Sequence, residues 1–202
     1  MSACCSAKSC DLEALKGRQL FVLKWVLAIN TVMFAVELTA GLTVGSVSLI
    51  ADSLDMLGDA LVYAFSLYVV ARDARMKAVS ALLKGAIMAA FGLFVLGQSA
   101  YKILYPAVPV YQAIGVVGAL ALAANGFCLA LLWRHREDDI NMSSVWLCSR
   151  NDIIANVSVL FAALGVGMTG SGWPDIAVGL ALSALFLKSA LTVLAGALCA
   201  LR

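Results

Sequence analysis

Apolar residues in this chain continue for about twenty positions at a time, broken by short clusters of Lys, Arg, Gly and Pro. Six such runs can be marked: about Gln19–Leu42, Val47–Ala71, Ala78–Leu104, Val110–Trp133, Ser144–Thr169 and Trp173–Leu201. A bilayer-crossing helix needs about 20 predominantly apolar residues, so each run is long enough to span. Strand-like alternation is absent, and an open sheet in hydrocarbon would leave backbone groups unpaired. The pattern therefore predicts an all-α, polytopic membrane protein built as a six-transmembrane-helix bundle.

Composition supports that class. Of 202 residues, 63% are hydrophobic and 13% charged, against about 45–50% and 25% in soluble domains, which excludes an ordinary soluble globular protein. A formal net charge of +2 gives no broad basic surface for nucleic acid. The positions of the charges carry more information than their sum. Lys8, Lys16 and Arg18 precede the first run, Arg72, Arg75 and Lys77 join the second to the third, and Arg134 and Arg136 join the fourth to the fifth, whereas the opposite connections hold only Lys102. The excess of Lys and Arg on cytoplasmic loops places both termini in the cytoplasm. Trp133 and Trp173 fall at run ends, where indoles favour the interface.

The first run carries Lys24, Asn30 and Glu37 and is followed by five more, so it reads as a span and not a cleaved leader. Residues 1–18 form a cytoplasmic tail containing Cys4, Cys5 and Cys10, and residues 19–202 form the membrane domain. The six cysteines are too scattered for a disulfide framework and read as thiols, with Cys128 and Cys199 as small apolar fillers. The tail reads either as a disordered segment with incidental thiols or as an arm that captures a soft or borderline metal. His135, between Arg134 and Arg136, reads as a loop residue, and the Glu137–Asp139 run as a solvated loop.

Carboxylates inside the runs are the candidate chemistry: Glu37 in the first, Asp52, Asp55 and Asp59 in the second, and Asp152 in the fifth. Each costs about 2.5–3.5 kcal/mol at a helix centre on an insertion scale, so they should face one another and not lipid. Offsets of 3 and 4 put Asp52, Asp55 and Asp59 on one helical face. Carboxylates so close repel unless protons or a cation reside among them. That suits a site exchanging metal for protons.

Cys148 and Asp152, four apart, share a face of the fifth helix. If the second and fifth helices pack together, Asp55, Asp59, Cys148 and Asp152 supply four metal ligands, the number a Zn²⁺-like ion takes. Asn151, Ser149 or a water are alternatives to Cys148 as the fourth ligand, and Arg150 could instead pair with Asp152. Asn30, Asn125 and Asn156 read as interhelical glue or as groups supporting the ligands.

The stretch Gly45-Ser46-Val47-Ser48-Leu49-Ile50-Ala51-Asp52-Ser53-Leu54-Asp55-Met56-Leu57-Gly58-Asp59, together with Cys148-x-x-x-Asp152-x-x-x-Asn156, resembles the signatures of the cation diffusion facilitator family. Pro174-Asp175 at the start of the sixth run, Lys188 near its inner end, and Asn30 followed by Glu37 are also similar to that family's pattern. The resemblance implies a non-enzymatic exporter of divalent cations such as Zn²⁺ or Cd²⁺, with the metal as substrate and no prosthetic group. It also implies proton antiport, a homodimer joined through the transmembrane helices, and the bacterial inner (plasma) membrane as the location. Two departures stand out. Cys148 occupies a position where the family usually has His, and the expected form is a short one without the family's cytoplasmic C-terminal domain. Outside transport, a membrane metal sensor or assembly partner remains an alternative. An organic-cation exporter would need an aromatic cage, and Tyr63 and Trp146 alone do not build one.

Overall fold

The computed structural model describes the backbone of residues 3–69, 74–134 and 140–201; the side chains at 3–20, 62–63, 65–69, 74–81, 84, 140–149, 151, 197 and 199–201 lie outside the described residues. Within them the chain forms six helices: α1 (Ala3–Val44), α2 (Val47–Val69), α3 (Ala74–Leu104), α4 (Tyr111–Trp133), α5 (Ile140–Thr169) and α6 (Trp173–Leu201). Among the described residues, five of the helices contain apolar stretches long enough to cross a bilayer, and α2 carries Asp52, Asp55 and Asp59 within its apolar run. Large apolar side chains including Phe21, Trp25, Val32, Phe127, Phe161, Leu164, Leu185 and Leu191 point outward. An apolar exterior of that extent has lipid as its natural solvent, and the chain is a polytopic all-α membrane protein.

Helix ends follow from local chemistry. Gly45 at φ 68 terminates α1, and the Ser46 N–H donates to the Gly41 carbonyl at 3.0 Å, the six-to-one bond of a Schellman cap. Ser46 then serves the next helix, its hydroxyl accepting from the Leu49 N–H at 3.2 Å, as an N-cap does. Two residues thus reverse the chain between α1 and α2. Gly170 at φ 62 ends α5 in the same left-handed conformation, its N–H donating to Val166 O at 2.9 Å. The α1–α2, α3–α4 and α5–α6 connections share one end of the bundle, where Gly45 lies against Lys102 and Gly172 against Ala107. We call this the distal end, and the other the terminal end.

α3 and α6 form the most extensive helix pair and α4 packs along α5, while α2 touches α1, α3, α5 and α6. The α3–α6 seam is close because Gly92 and Gly85 leave room for Leu187 and Leu194, and the Ser183 hydroxyl donates to the Gly92 carbonyl at 2.8 Å. A side chain at either glycine would overlap leucine atoms at 2.8–2.9 Å. On α4 the buried residues are Ile114, Gly118, Ala121, Asn125, Cys128 and Leu132, alternating by four and three along one stripe. That stripe divides the interior into layers. Ile114 joins Leu49, Val159 and Ala163 in an apolar cluster toward the distal end, and Cys128 and Leu132 join Leu23 and Val26 in another toward the terminal end. Asn125 lies between them.

Candidate metal site

The polar layer is assembled from α1, α2, α4 and α5. Glu37, Asp52, Asn125, Asp152 and Asn156 are all buried, at no more than 4% exposure. α2 and α5 do pack together, and Asn156 is the strap between them. Its amide donates to both Asp52 oxygens at 3.1 Å, and its own carbonyl accepts from the Asn125 amide at 3.3 Å. This chain of three side chains ties α4 through α5 to α2. Asn125 and Asn156 thus bond between helices, the first of the two readings of their sequence positions, and Asp52 is held as an acceptor above the other two α2 aspartates.

At 1.5 Å per residue, Asp52, Asp55 and Asp59 lie about 7, 12 and 18 Å below the start of α2. Asp59 meets α5 through a side-chain hydrogen bond with Asp152. Two carboxyls in contact can hold either a proton or a cation between them, which is the competition an exchanger requires. Asp55 and Asp59 are both half-buried, Asp55 one turn above Asp59 on the same face. Glu37 reaches the cluster from α1, within electrostatic range of Asp52 and Asp55. Cys128 of α4 lies within range of Asp152 but sits in the apolar cluster toward the terminal end, consistent with a packing thiol.

Among the described residues, the buried side-chain atoms left without a hydrogen-bond partner are Asn30 Oδ1, Glu37 Oε1 and Oε2, Asn125 Oδ1 and Asp152 Oδ2. All of these are oxygen acceptors, on α1, α4 and α5. Buried acceptors in hydrocarbon call for donors or cations, so the layer has a surplus of acceptors that protons or a cation would satisfy. Among the described residues, no group of three or more His, Cys, Asp and Glu closes around one point. The Cys148 side chain, the expected fourth ligand, lies outside the described residues, as do those of Cys4, Cys5, Cys10, Cys199, Tyr63, Trp146 and Asn151 and the 135–139 loop. The backbone carries Cys148 on α5 one turn from Asp152, and Arg150 is exposed.

Asp175 is the residue whose place the sequence did not disclose. It sits in the first turn of α6 at 1% exposure, and its carboxylate accepts from the Ser46 hydroxyl at 2.6 Å, the Val47 N–H at 2.7 Å, the Ser48 N–H at 3.2 Å and the Ser48 hydroxyl at 2.6 Å. Ser46 ahead of an apolar run signals a helix start. No local pattern signals that the second cap comes from a helix about 130 residues away.

Residues 23–201 match the family model for the cation efflux transmembrane domain. The chain is also similar to the metal cation efflux system protein CzcD of Cupriavidus metallidurans, at 28% identity over 191 residues, covering 85% of this chain and 60% of that protein. The cation efflux system protein CzcD of an Alcaligenes species gives the same identity and coverage. The chain therefore spans about 60% of the length of the curated relatives it matches.

Proposed function

Since the chain belongs to the cation efflux transmembrane family, we propose that it moves a divalent metal cation, Zn²⁺ or Cd²⁺, out of the cytoplasm in exchange for protons. The proposed site comprises Asp55 and Asp59 of α2 with Cys148 and Asp152 of α5, inside a membrane domain formed by residues 19–202. Both relatives are named for cation efflux, which favours a transported ion over a sensed one. The observation that carries the reading is the Asp59–Asp152 contact beside a buried layer whose unpartnered atoms, among the described residues, are oxygens.

In this mechanism an arriving metal displaces the protons that the paired carboxyls hold, and its charge keeps both acids ionised. When the metal leaves, protons restore the starting state. Asn156 and Asn125 keep Asp52 oriented beside the site, and the apolar clusters above and below confine the polar layer.

The test is uptake of Zn²⁺, Cd²⁺, Co²⁺ and Mn²⁺ into proteoliposomes with and without a pH gradient, for the parent, Asp59→Ala and Asp152→Ala. The expected outcome is gradient-dependent Zn²⁺ or Cd²⁺ flux that falls at least tenfold in each variant. No flux of any of the four ions in the parent would defeat the transport reading, and undiminished flux in both variants would move the site elsewhere.

A further inference from the structure

The Asp175 carboxylate joins two helices that are far apart in sequence and takes no part in the carboxylate cluster of the metal site. Both its oxygens are used: Oδ2 by the Val47 N–H, and Oδ1 by the Ser48 N–H and the hydroxyls of Ser46 and Ser48. These donors are the first backbone amides of α2 and the side chains flanking them. Carboxylates are favoured at a helix N-terminus, where free N–H groups and the helix dipole converge. Here the carboxylate belongs to another helix, so capping α2 also fixes where α2 starts against α6.

The contact continues below the cap. One turn along α6, Gly179 lies so close to Val47 that a Cβ there would come within 2.5 Å of its side chain. Leu182 and Phe186 then pack with Val47, Ile50, Ala51 and Leu54 in one apolar cluster. Asp175, Gly179, Leu182 and Phe186 follow the four-three-four spacing of a single α6 stripe. On α2 the buried part of this contact runs from the first residue to Leu54, and the half-buried Leu57 packs at its margin. Met56 and Ala60 stay buried further along, but Asp55, Gly58 and Asp59 are half-buried, and a Cβ at Gly58 would meet nothing within 4 Å. α2 is therefore fastened to α6 over its first two turns, and the face that carries Asp55 and Asp59 is less covered. α6 is itself locked to α3 by Ser183 and by Leu187 and Leu194 over the α3 glycines.

We propose that Asp175 is a positioning residue for cation binding: it clamps the start of α2 to α6 and so sets the rotation and depth at which Asp55 and Asp59 meet α5. A helix turns 100° per residue and rises 1.5 Å, so a slip of one residue at the clamp would carry both aspartates off the α5 face. Asp175 touches no metal in this arrangement and acts through the α2 backbone. The inference rests on the transport reading given above.

Two readouts test it, hydrogen exchange of the α2 amides and the KM and maximal rate of Zn²⁺ uptake in proteoliposomes. Asp175→Asn places an amide donor opposite the Val47 N–H or the serine hydroxyls. Ser48→Ala is the milder variant, deleting one donor and leaving the carboxylate and the backbone bonds in place. The expected result is faster exchange over residues 47–50 in both variants. The Zn²⁺ KM should rise at least tenfold in Asp175→Asn and about threefold in Ser48→Ala, with the maximal rate reduced less than the KM is raised. Unchanged exchange would overturn the clamp. Faster exchange with an unaltered KM would show a cap of structural value alone and overturn the positioning role. Where the parent carries Cd²⁺ and not Zn²⁺, the KM is read with Cd²⁺; a parent that carries none of Zn²⁺, Cd²⁺, Co²⁺ and Mn²⁺ would defeat the transport reading and the positioning role with it, while the exchange data would still report the clamp separately.

Discussion

Replacing Asn156 by leucine keeps the size of the side chain and removes all its polar atoms. The parent side chain donates to Asp52 at two 3.1 Å contacts and accepts from Asn125 at 3.3 Å, fully buried between α2, α4 and α5. Interhelical hydrogen bonds in membranes average about 0.6 kcal/mol and reach about 1.7, so losing three costs about 2–5 kcal/mol. The substitution also strands the Asn125 amide and leaves Asp52 without its α5 donor, and bonds to ionised groups are stronger than neutral ones. The upper half of the range should therefore win. We expect about 4 kcal/mol, roughly 800-fold in the folding equilibrium. The assay is denaturant unfolding in detergent micelles, run as a double-mutant cycle with Asn125→Leu. Because the second substitution removes the stranded amide, the pair should cost less than the sum of the single changes by about 1 kcal/mol. Asn156→Leu within about 0.5 kcal/mol of the parent, or strict additivity, would refute the strap.

Two further outcomes follow from the packing and the site. Gly179→Ala forces a methyl within 2.5 Å of the Val47 side chain, and overpacking of that kind costs about 1–3 kcal/mol. Thermal unfolding in detergent should show the loss and its relief by Val47→Ala, and equal stability of the single variant would contradict the close α2–α6 approach. Cys148→Ser replaces a soft donor with a hard one, so the ratio of Cd²⁺ to Zn²⁺ uptake should fall several-fold. An unchanged ratio would remove sulfur from the ligand shell.

The helices were legible because hydrocarbon imposes a length and an apolar content that sequence displays directly. α6 (Trp173–Leu201) coincides with its expected span and α4 (Tyr111–Trp133) differs by one residue. The helices begin earlier than expected where the apolar run is not what starts them: α1 at Ala3 instead of Gln19, α3 at Ala74 instead of Ala78 and α5 at Ile140 instead of Ser144. Those added turns are polar or mixed, and a hydropathy pattern reports burial in lipid and not backbone conformation. In the tail, the backbone at Cys4, Cys5 and Cys10 is continuous with α1.

The α2 face of Asp52, Asp55 and Asp59 was readable from spacing alone, since helical periodicity is a local property. The pairing of that face with α5 was conditional, and the Asn156–Asp52 and Asp59–Asp152 contacts supply it. Asp175 shows where local reasoning ends. Its proline-flanked position marks a helix start, but its partners Ser46 and Ser48 are chosen by how α6 lies on α2.

The order in which the ribosome makes these partners has a consequence for biogenesis. α2 follows α1 after a two-residue turn, so it enters the membrane early and carries three aspartates, each costing about 2.5–3.5 kcal/mol at a helix centre. The Asn156 amide that serves Asp52 lies 104 residues further on, and Asp175 lies 129 residues beyond Ser46. At about 5–20 residues per second, α6 arrives roughly 6–26 s after the start of α2. Through that interval α2 lacks both its cap from α6 and its donor from α5, so the helix that carries three aspartates is among the first to be delivered and among the last to be secured.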